Sequence, residues 1–178
     1  VASGDLSHKL KADGPYGFSP DGPVYDERVM DVMGRAAFGE LFDFSEDFCA
    51  SAAECGHRSL VIMSGAFDGR DVREERLSYE GPFGVGYGVC TFEGGGRDDS
   101  RRFLDIYKDK ERARLARIRA AEDEYVRLAR ASVEHYVRTG RRLEMPEGLP
   151  DYMTRRRSGV FVSLHEDGRL RGCIGTIA

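Results

Sequence analysis

Ser59-Leu-Val-Ile-Met63, followed at once by Ser64-Gly65, is the stretch on which the fold class turns. Its four apolar residues run without a polar break and include the β-branched pair Val61 and Ile62. That length and composition suit a buried strand of a parallel sheet, and such a strand predicts an α/β domain. Downstream, residues 68–76 are a charged excursion. Tyr79-Glu-Gly-Pro-Phe-Gly-Val-Gly-Tyr-Gly-Val-Cys-Thr-Phe92 then opens glycine-rich and leaves with alternating Val85, Tyr87, Val89 and Thr91, which reads as a second strand. Val61, Ile62 and Val89 are expected to face a layer that neighbouring strands would cover. Upstream, residues 1–22 are rich in Gly, Pro, Ser and Asp and read as a strand end running into a long loop. Residues 26–42 carry Val29, Met30, Met33, Ala37 and Leu41 at helical spacing, with Asp26 as the expected N-cap. Ser45 is expected to cap a second, short helix that Gly56 ends.

Beyond these elements, Glu93-Gly-Gly-Gly96 has the composition of a flexible linker. Residues 105–139 read as one long helix or two in tandem, with Gly140 as the C-cap. The first half of that stretch is mostly Arg, Lys and Glu, a solvated face with i,i+4 pairs. The second half carries an apolar stripe from Ile118 through Tyr125, Leu128 and Val133 to Val137. Pro146 and Pro150 then break the helix. Gly159-Val-Phe-Val-Ser-Leu164 and Leu170-Arg-Gly-Cys-Ile174 flank His165-Glu-Asp-Gly-Arg169, a β-hairpin signal with Gly168 at the positive-φ position.

Charge divides the chain in the same place. Residues 1–96 hold 8 Lys and Arg against 17 Asp and Glu, whereas residues 97–178 hold 19 against 14. An asymmetry of that size marks a domain boundary. The basic excess sits mostly in one helix with interleaved acids, so it is not read as a nucleic-acid surface. Cys49, Cys55, Cys90 and Cys173 are scattered without a CxxC pair, which argues against a zinc cluster or a disulfide framework and suits a reducing cytoplasm. No apolar run approaches the ~20 residues that span a bilayer. The chain opens at Val1 and stops at Ala178, straight after a strand-like run, so both ends are expected to be cuts within a longer protein.

His8 is the most informative residue for chemistry. It follows a strand end in Gly4-Asp-Leu-Ser-His8, among polar neighbours and ahead of a glycine-rich loop. An imidazole there either exchanges protons near neutrality or simply hydrogen-bonds backbone. Gly4-Asp-Leu-Ser-His8 resembles the distal signature of the class III extradiol dioxygenase (LigB) superfamily. The Memo-like branch is the closer match, with a Cys-Gly turn like Cys55-Gly56 and a terminal strand like Leu77-Ser-Tyr-Glu-Gly81. The resemblance covers about residues 1–92. It implies a non-haem Fe(II) held by two His and one carboxylate, with a further His as acid/base and open positions for substrate and O₂. By that match His8 is similar to the acid/base His, and Glu80 is the candidate carboxylate ligand, with a plain surface role at a strand start as its alternative. Asp5 and Tyr79 are further candidates beside them. The two His ligands would lie upstream, so iron is expected only in the intact protein. His57, after the Cys-Gly turn, is expected to orient backbone.

Leu170-Arg-Gly-Cys-Ile-Gly-Thr176 resembles the hallmark of the AMMECR domain family, preceded as in that family by Gly159-Val-Phe-Val-Ser-Leu164 and a helix like Leu128-Ala-Arg-Ala-Ser-Val133. This resemblance covers about residues 122–178. A Gly-Cys-Ile-Gly strand lets another backbone approach closely. Cys173 reads either as a buried structural thiol or as a nucleophile, and the absence of a visible paired base favours the first. Arg171 would hold an anion or a buried carboxylate.

The combined expectation is an α/β chain. Residues 1–92 would be the C-terminal part of an α/β/α layered LigB/Memo-like domain, 93–121 a linker and basic helix, and 122–178 the N-terminal part of an α+β AMMECR domain. That order resembles fusions of the AmmeMemoRadiSam system, in which a radical-SAM protein is the third member. Two functions follow from the resemblance. One is Fe(II)-dependent ring cleavage of a small aromatic substrate by O₂. The other is a metal-binding, non-dioxygenase protein acting with a radical-SAM partner. Either would be cytoplasmic.

Overall fold

The structure, a computed structural model, describes residues 1–166 and 168–177. Helices and small antiparallel sheets alternate along it, a mixed α/β fold. Two compact units divide it, residues 1–112 and 113–178.

The first unit opens with an extended N-terminal segment and then α1 (Asp21–Gly34). Tyr25, Val29, Val32, Met33 and Met30 recur on one broad side of α1 and are buried. A left-handed residue, Ala36 at φ 46°, turns the chain into a 3₁₀ segment, Phe38–Asp43. The Arg101 guanidinium donates to the Ala36 carbonyl at 2.7 Å, which satisfies a backbone group the turn leaves over. α2 (Glu46–Ala52) begins at Ser45, whose hydroxyl accepts the Phe48 N–H at 3.2 Å. Its end falls at left-handed Ala53, not at Gly56.

α3 (His57–Gly65) contains the Ser59–Met63 stretch, so the expected parallel strand is a helix. Four apolar residues in a row do not separate strand from buried helix, and here they are helical, with the Glu54 carboxylate accepting the His57 N–H of the first turn at 2.6 Å. Leu60, Val61 and Met63 pack on the core, whereas Ile62 is exposed.

β1 (Arg70–Glu80) and β2 (Tyr87–Arg97) form an antiparallel hairpin. The charged excursion is therefore most of β1. The Gly-Gly-Gly linker is the end of β2, where Gly94 pairs with Val72 and Arg97 with Arg70. Phe38, Phe67, Phe92 and Phe103 close this end of the core, with Phe38 and Phe92 in edge contact at 5.1 Å. An apolar groove of about 1140 Å³ remains open between α1, α3 and β2, with Ile62 and Val89 on its lining.

α4 (Phe103–Ala120) runs across the division between the units. The second unit continues with α5 (Glu124–Thr139), a short α6 (Asp151–Thr154), and the antiparallel hairpin β3 (Val160–Glu166) and β4 (Arg169–Thr176). The 105–139 stretch is thus two helices. Asp123 caps α5 by accepting the Val126 N–H at 2.8 Å, and Gly140, at φ 69°, ends it. Gly168 has φ 80° as the hairpin reading requires, and its neighbour Asp167 lies outside the described residues.

Candidate functional site

The segment from Gly4 to Leu10 is stitched into the first unit from two sides. On one side Leu6 donates its N–H to the Gly86 carbonyl at 2.9 Å, Gly86 returns its N–H to the Ser7 carbonyl at 2.8 Å, and Leu10 donates to Gly84 at 3.0 Å. On the other side the Ser7 hydroxyl and the His8 N–H both donate to the Ala52 carbonyl, at 2.8 and 3.2 Å. The α2–α3 turn then lies directly against residues 4 and 5. A Cβ on Gly4 would sit 2.4 Å from the Gly56 Cα, so two glycines are what allow the backbones to touch. That contact explains the Cys-Gly turn: it carries Cys55 up to Asp5.

Asp5, His8 and Cys55 consequently share one spot. Their Oδ, ring N and Sγ atoms all lie within 4.8 Å of one another. The Asp5 N–H donates to the Cys55 sulfur at 3.2 Å. His8 Nε2 lies 3.4 Å from Asp5 Oδ2, an ion-pair distance without hydrogen-bond geometry. Nε2 is buried and has no hydrogen-bond partner among the described residues. Tyr16, exposed on the following glycine-rich loop, stacks on the imidazole at 5.0 Å between ring centres. Imidazole, carboxylate and thiol are the donor types that hold a divalent metal, and an unengaged buried nitrogen is what a ligand or a proton-transfer group needs.

Behind this group sits Asp26. It is not a helix cap: α1 starts five residues earlier, and the Asp26 side chain is buried inside the unit. Its Oδ1 accepts the Ser7 N–H at 2.7 Å and its Oδ2 accepts the Tyr79 hydroxyl at 2.8 Å. Burial raises the carboxyl above its ordinary range, while the two hydrogen bonds and the neighbouring His8 pull it back. Burial, and the hydrogen bond to Asp26, raise the Tyr79 phenol. His57 sits deeper. Its Nε2 faces the Leu41 carbonyl at 3.0 Å and so carries the hydrogen, leaving Nδ1 to accept the Tyr25 hydroxyl at 3.2 Å. The ring thus orients backbone as expected, and burial lowers its pKa.

Of the residues singled out from sequence, His8, Asp5 and Tyr79 are brought to one region. Glu80 stands outside the Asp5–His8–Cys55 group: it is exposed at the end of β1, and side chains alternate along a strand, so with Tyr79 turned toward Asp26 Glu80 points to the other face. Asp26 and Cys55 were missed as site residues. Their signals were the glycines at 4, 56 and 86, which mark close approaches whose partners sequence order does not reveal. In the second unit Arg171 pairs with the exposed Glu166 carboxylate, not a buried one. Cys173 is exposed, with the Ser163 hydroxyl 3.3 Å from its sulfur, so the buried-thiol reading does not hold for this chain.

Fold and site define a mixed α/β protein with a candidate metal and proton-transfer centre where its N-terminal segment meets the α2–α3 turn. Residues 1–90 match the family described as the catalytic LigB subunit of aromatic ring-opening dioxygenase, and the chain belongs to that family. Residues 126–178 match AMMECR1. A protein of Clostridium acetobutylicum is 42% identical over 183 residues, which cover 99% of this chain and 38% of that protein. A Thermotoga maritima protein is 50% identical over 56 residues, covering 31% of this chain and 32% of its own length. A Methanothermobacter thermautotrophicus protein is 48% identical over 50 residues, covering 28% and 26%. The chain therefore spans well under half of each of these relatives. No helix of the described residues is long and apolar enough to cross a membrane.

Proposed function

We propose that the first unit carries the acid/base side of a metal-dependent aromatic ring-opening dioxygenase site. The observation that supports it is the buried, unengaged Nε2 of His8, set 3.4 Å from a carboxylate. Opening a dihydroxy-aromatic ring with O₂ requires that a phenolic proton be taken up. His8 Nε2 accepts that proton, and Asp5 stabilises the imidazolium that forms. Tyr16 covers one face of the ring and limits water there. A bound metal, Fe(II) by family, would supply Lewis-acid contact to the diol and to O₂. Asp5 and Cys55 fit as donors to a divalent ion, and Asp5 replaces Glu80 as the carboxylate the geometry supports. The two His ligands of the family set would come from residues upstream, since the first unit's other imidazole, His57, is held by Tyr25 and Leu41.

The presence of Cys55 beside Asp5 and His8 supports a second reading. With Cys55 as a thiolate ligand and His8 as a third ligand, the site would bind metal without oxygenase chemistry and serve a partner, a radical-SAM protein being the candidate. One experiment separates the two: metal content and turnover of a catechol by the intact protein. The first reading predicts that His8→Ala abolishes turnover with metal content unchanged, while Asp5→Ala and Cys55→Ala lower metal content. Loss of metal in His8→Ala, with no turnover in the unaltered protein, would establish the second reading and end the first.

A further inference from the structure

We infer that Asp26 and Tyr79 form a positioning pair that sets the Ser7 backbone so that Asp5 and His8 converge on Cys55. The inference deepens the proposed reading of the His8 site and rests on it for function, though not for its geometry. Asp5 and His8 flank Leu6 and Ser7, and the chain bends at Leu6 and again at His8 so that both face the same spot. Each of the groups of Ser7 is accounted for. The Ser7 carbonyl is taken by Gly86, its hydroxyl by Ala52, and its N–H by Asp26 Oδ1 at 2.7 Å. The first is ordinary backbone pairing and the second a side-chain hydroxyl on a backbone carbonyl. The third is a carboxylate that is 1% exposed, reached from α1 and held in turn by a hydroxyl from β1.

Burying a carboxylate with only two hydrogen-bond donors is costly, and an amide or an apolar residue would be the cheaper choice for packing alone. Space has been cleared for it: a Cβ on Gly86 would lie 1.9 Å from Asp26 Oδ2. The pair touches neither substrate nor metal, so its role is to aim the groups that do.

The test is a set of ¹H–¹⁵N spectra of the full chain, which holds only four histidines. His8 carries a ring-current shift from the stacked Tyr16, and His57 reports on the same core from the Tyr25 side. In Asp26→Ala the His8 ring shift should collapse while His57 is unchanged. Asp26→Asn, which keeps an acceptor for Ser7 and a polar partner for Tyr79, should restore most of it. Tyr79→Phe, the milder change, should move His8 part of the way. Co²⁺ titration gives a second readout, with affinity falling about 10-fold or more in Asp26→Ala, as for residues that orient ligands from behind. Unchanged His8 signals in both Asp26→Ala and Tyr79→Phe would overturn the inference, as would joint loss of the His8 and His57 signals in both. If the unaltered chain takes up no Co²⁺, the metal group fails, and the His8 spectra still decide the role of Asp26.

Discussion

Gly86→Ala is the most revealing single change in the first unit. Its Cβ would stand 1.9 Å from Asp26 Oδ2, 2.8 Å from Cγ and 3.1 Å from the Leu6 Cβ. Glycine is not needed there for its backbone angles, since Gly86 is not among the positive-φ glycines, so the cost is steric. The carboxylate must move by about 1.5 Å or more to reach ordinary contact. Its bonds at 2.7 and 2.8 Å then stretch beyond hydrogen-bond range, leaving the Ser7 N–H and the carboxylate short of partners. Loss of a hydrogen bond to a charged group costs about 1.5–3 kcal/mol and overpacking about 1–3 kcal/mol. Because one shift causes both, the expected destabilisation is about 3 kcal/mol. Urea unfolding followed through first-unit resonances should show the midpoint falling by about 1–2 M. Gly96→Ala, whose Cβ meets nothing within 4 Å, should stay within about 0.5 kcal/mol. The decisive comparison repeats Gly86→Ala in an Asp26→Ala background, where the clash is gone and most of the cost should vanish. Equal cost in both backgrounds would refute the reasoning.

His57 gives the first unit a pH dependence. Its folded pKa lies below the ordinary 6.5, so its contribution is fully present above that value and is lost as pH falls from there through the folded pKa. Stability measured across this window should fall toward acid, and His57→Gln should flatten the slope; an unchanged slope would show that the ring is not the source. In the second unit Asp123→Ala removes the cap on the Val126 N–H and should lower α5 stability by about 1 kcal/mol, read as faster amide exchange in its first turn.

Local signals carried the reading furthest where the chemistry is itself local. Ser45, Gly140 and Gly168 act through their own backbone or that of residues three or four away, and short spacing is legible in sequence. The Gly4–His8 motif was legible only through its resemblance to the LigB family, which residues 1–90 match. Ser59–Met63 failed because a short apolar run fits a buried strand and a buried helix alike. Gly94–Gly96 failed because strand pairing with residues 70–72 supplies the order that a glycine run lacks alone. Asp26 and Cys55 were beyond reach for a further reason. Asp26 acts on Ser7 19 positions away and on Tyr79 53 positions away, and Cys55 meets Asp5 across 50. Glu80 and Tyr79 are neighbours in sequence, and only the placement of β1 shows Tyr79 on Asp26 and Glu80 exposed.

The most direct test of the account is O₂ consumption by the intact protein after anaerobic loading with Fe(II), using a catechol and ¹⁸O₂. The expected result is one O₂ consumed per ring opened, both labelled atoms in the product, and loss of that activity in His8→Ala with iron retained. Stoichiometric iron with no O₂ uptake on any dihydroxy-aromatic compound, or full activity in His8→Ala, would contradict it.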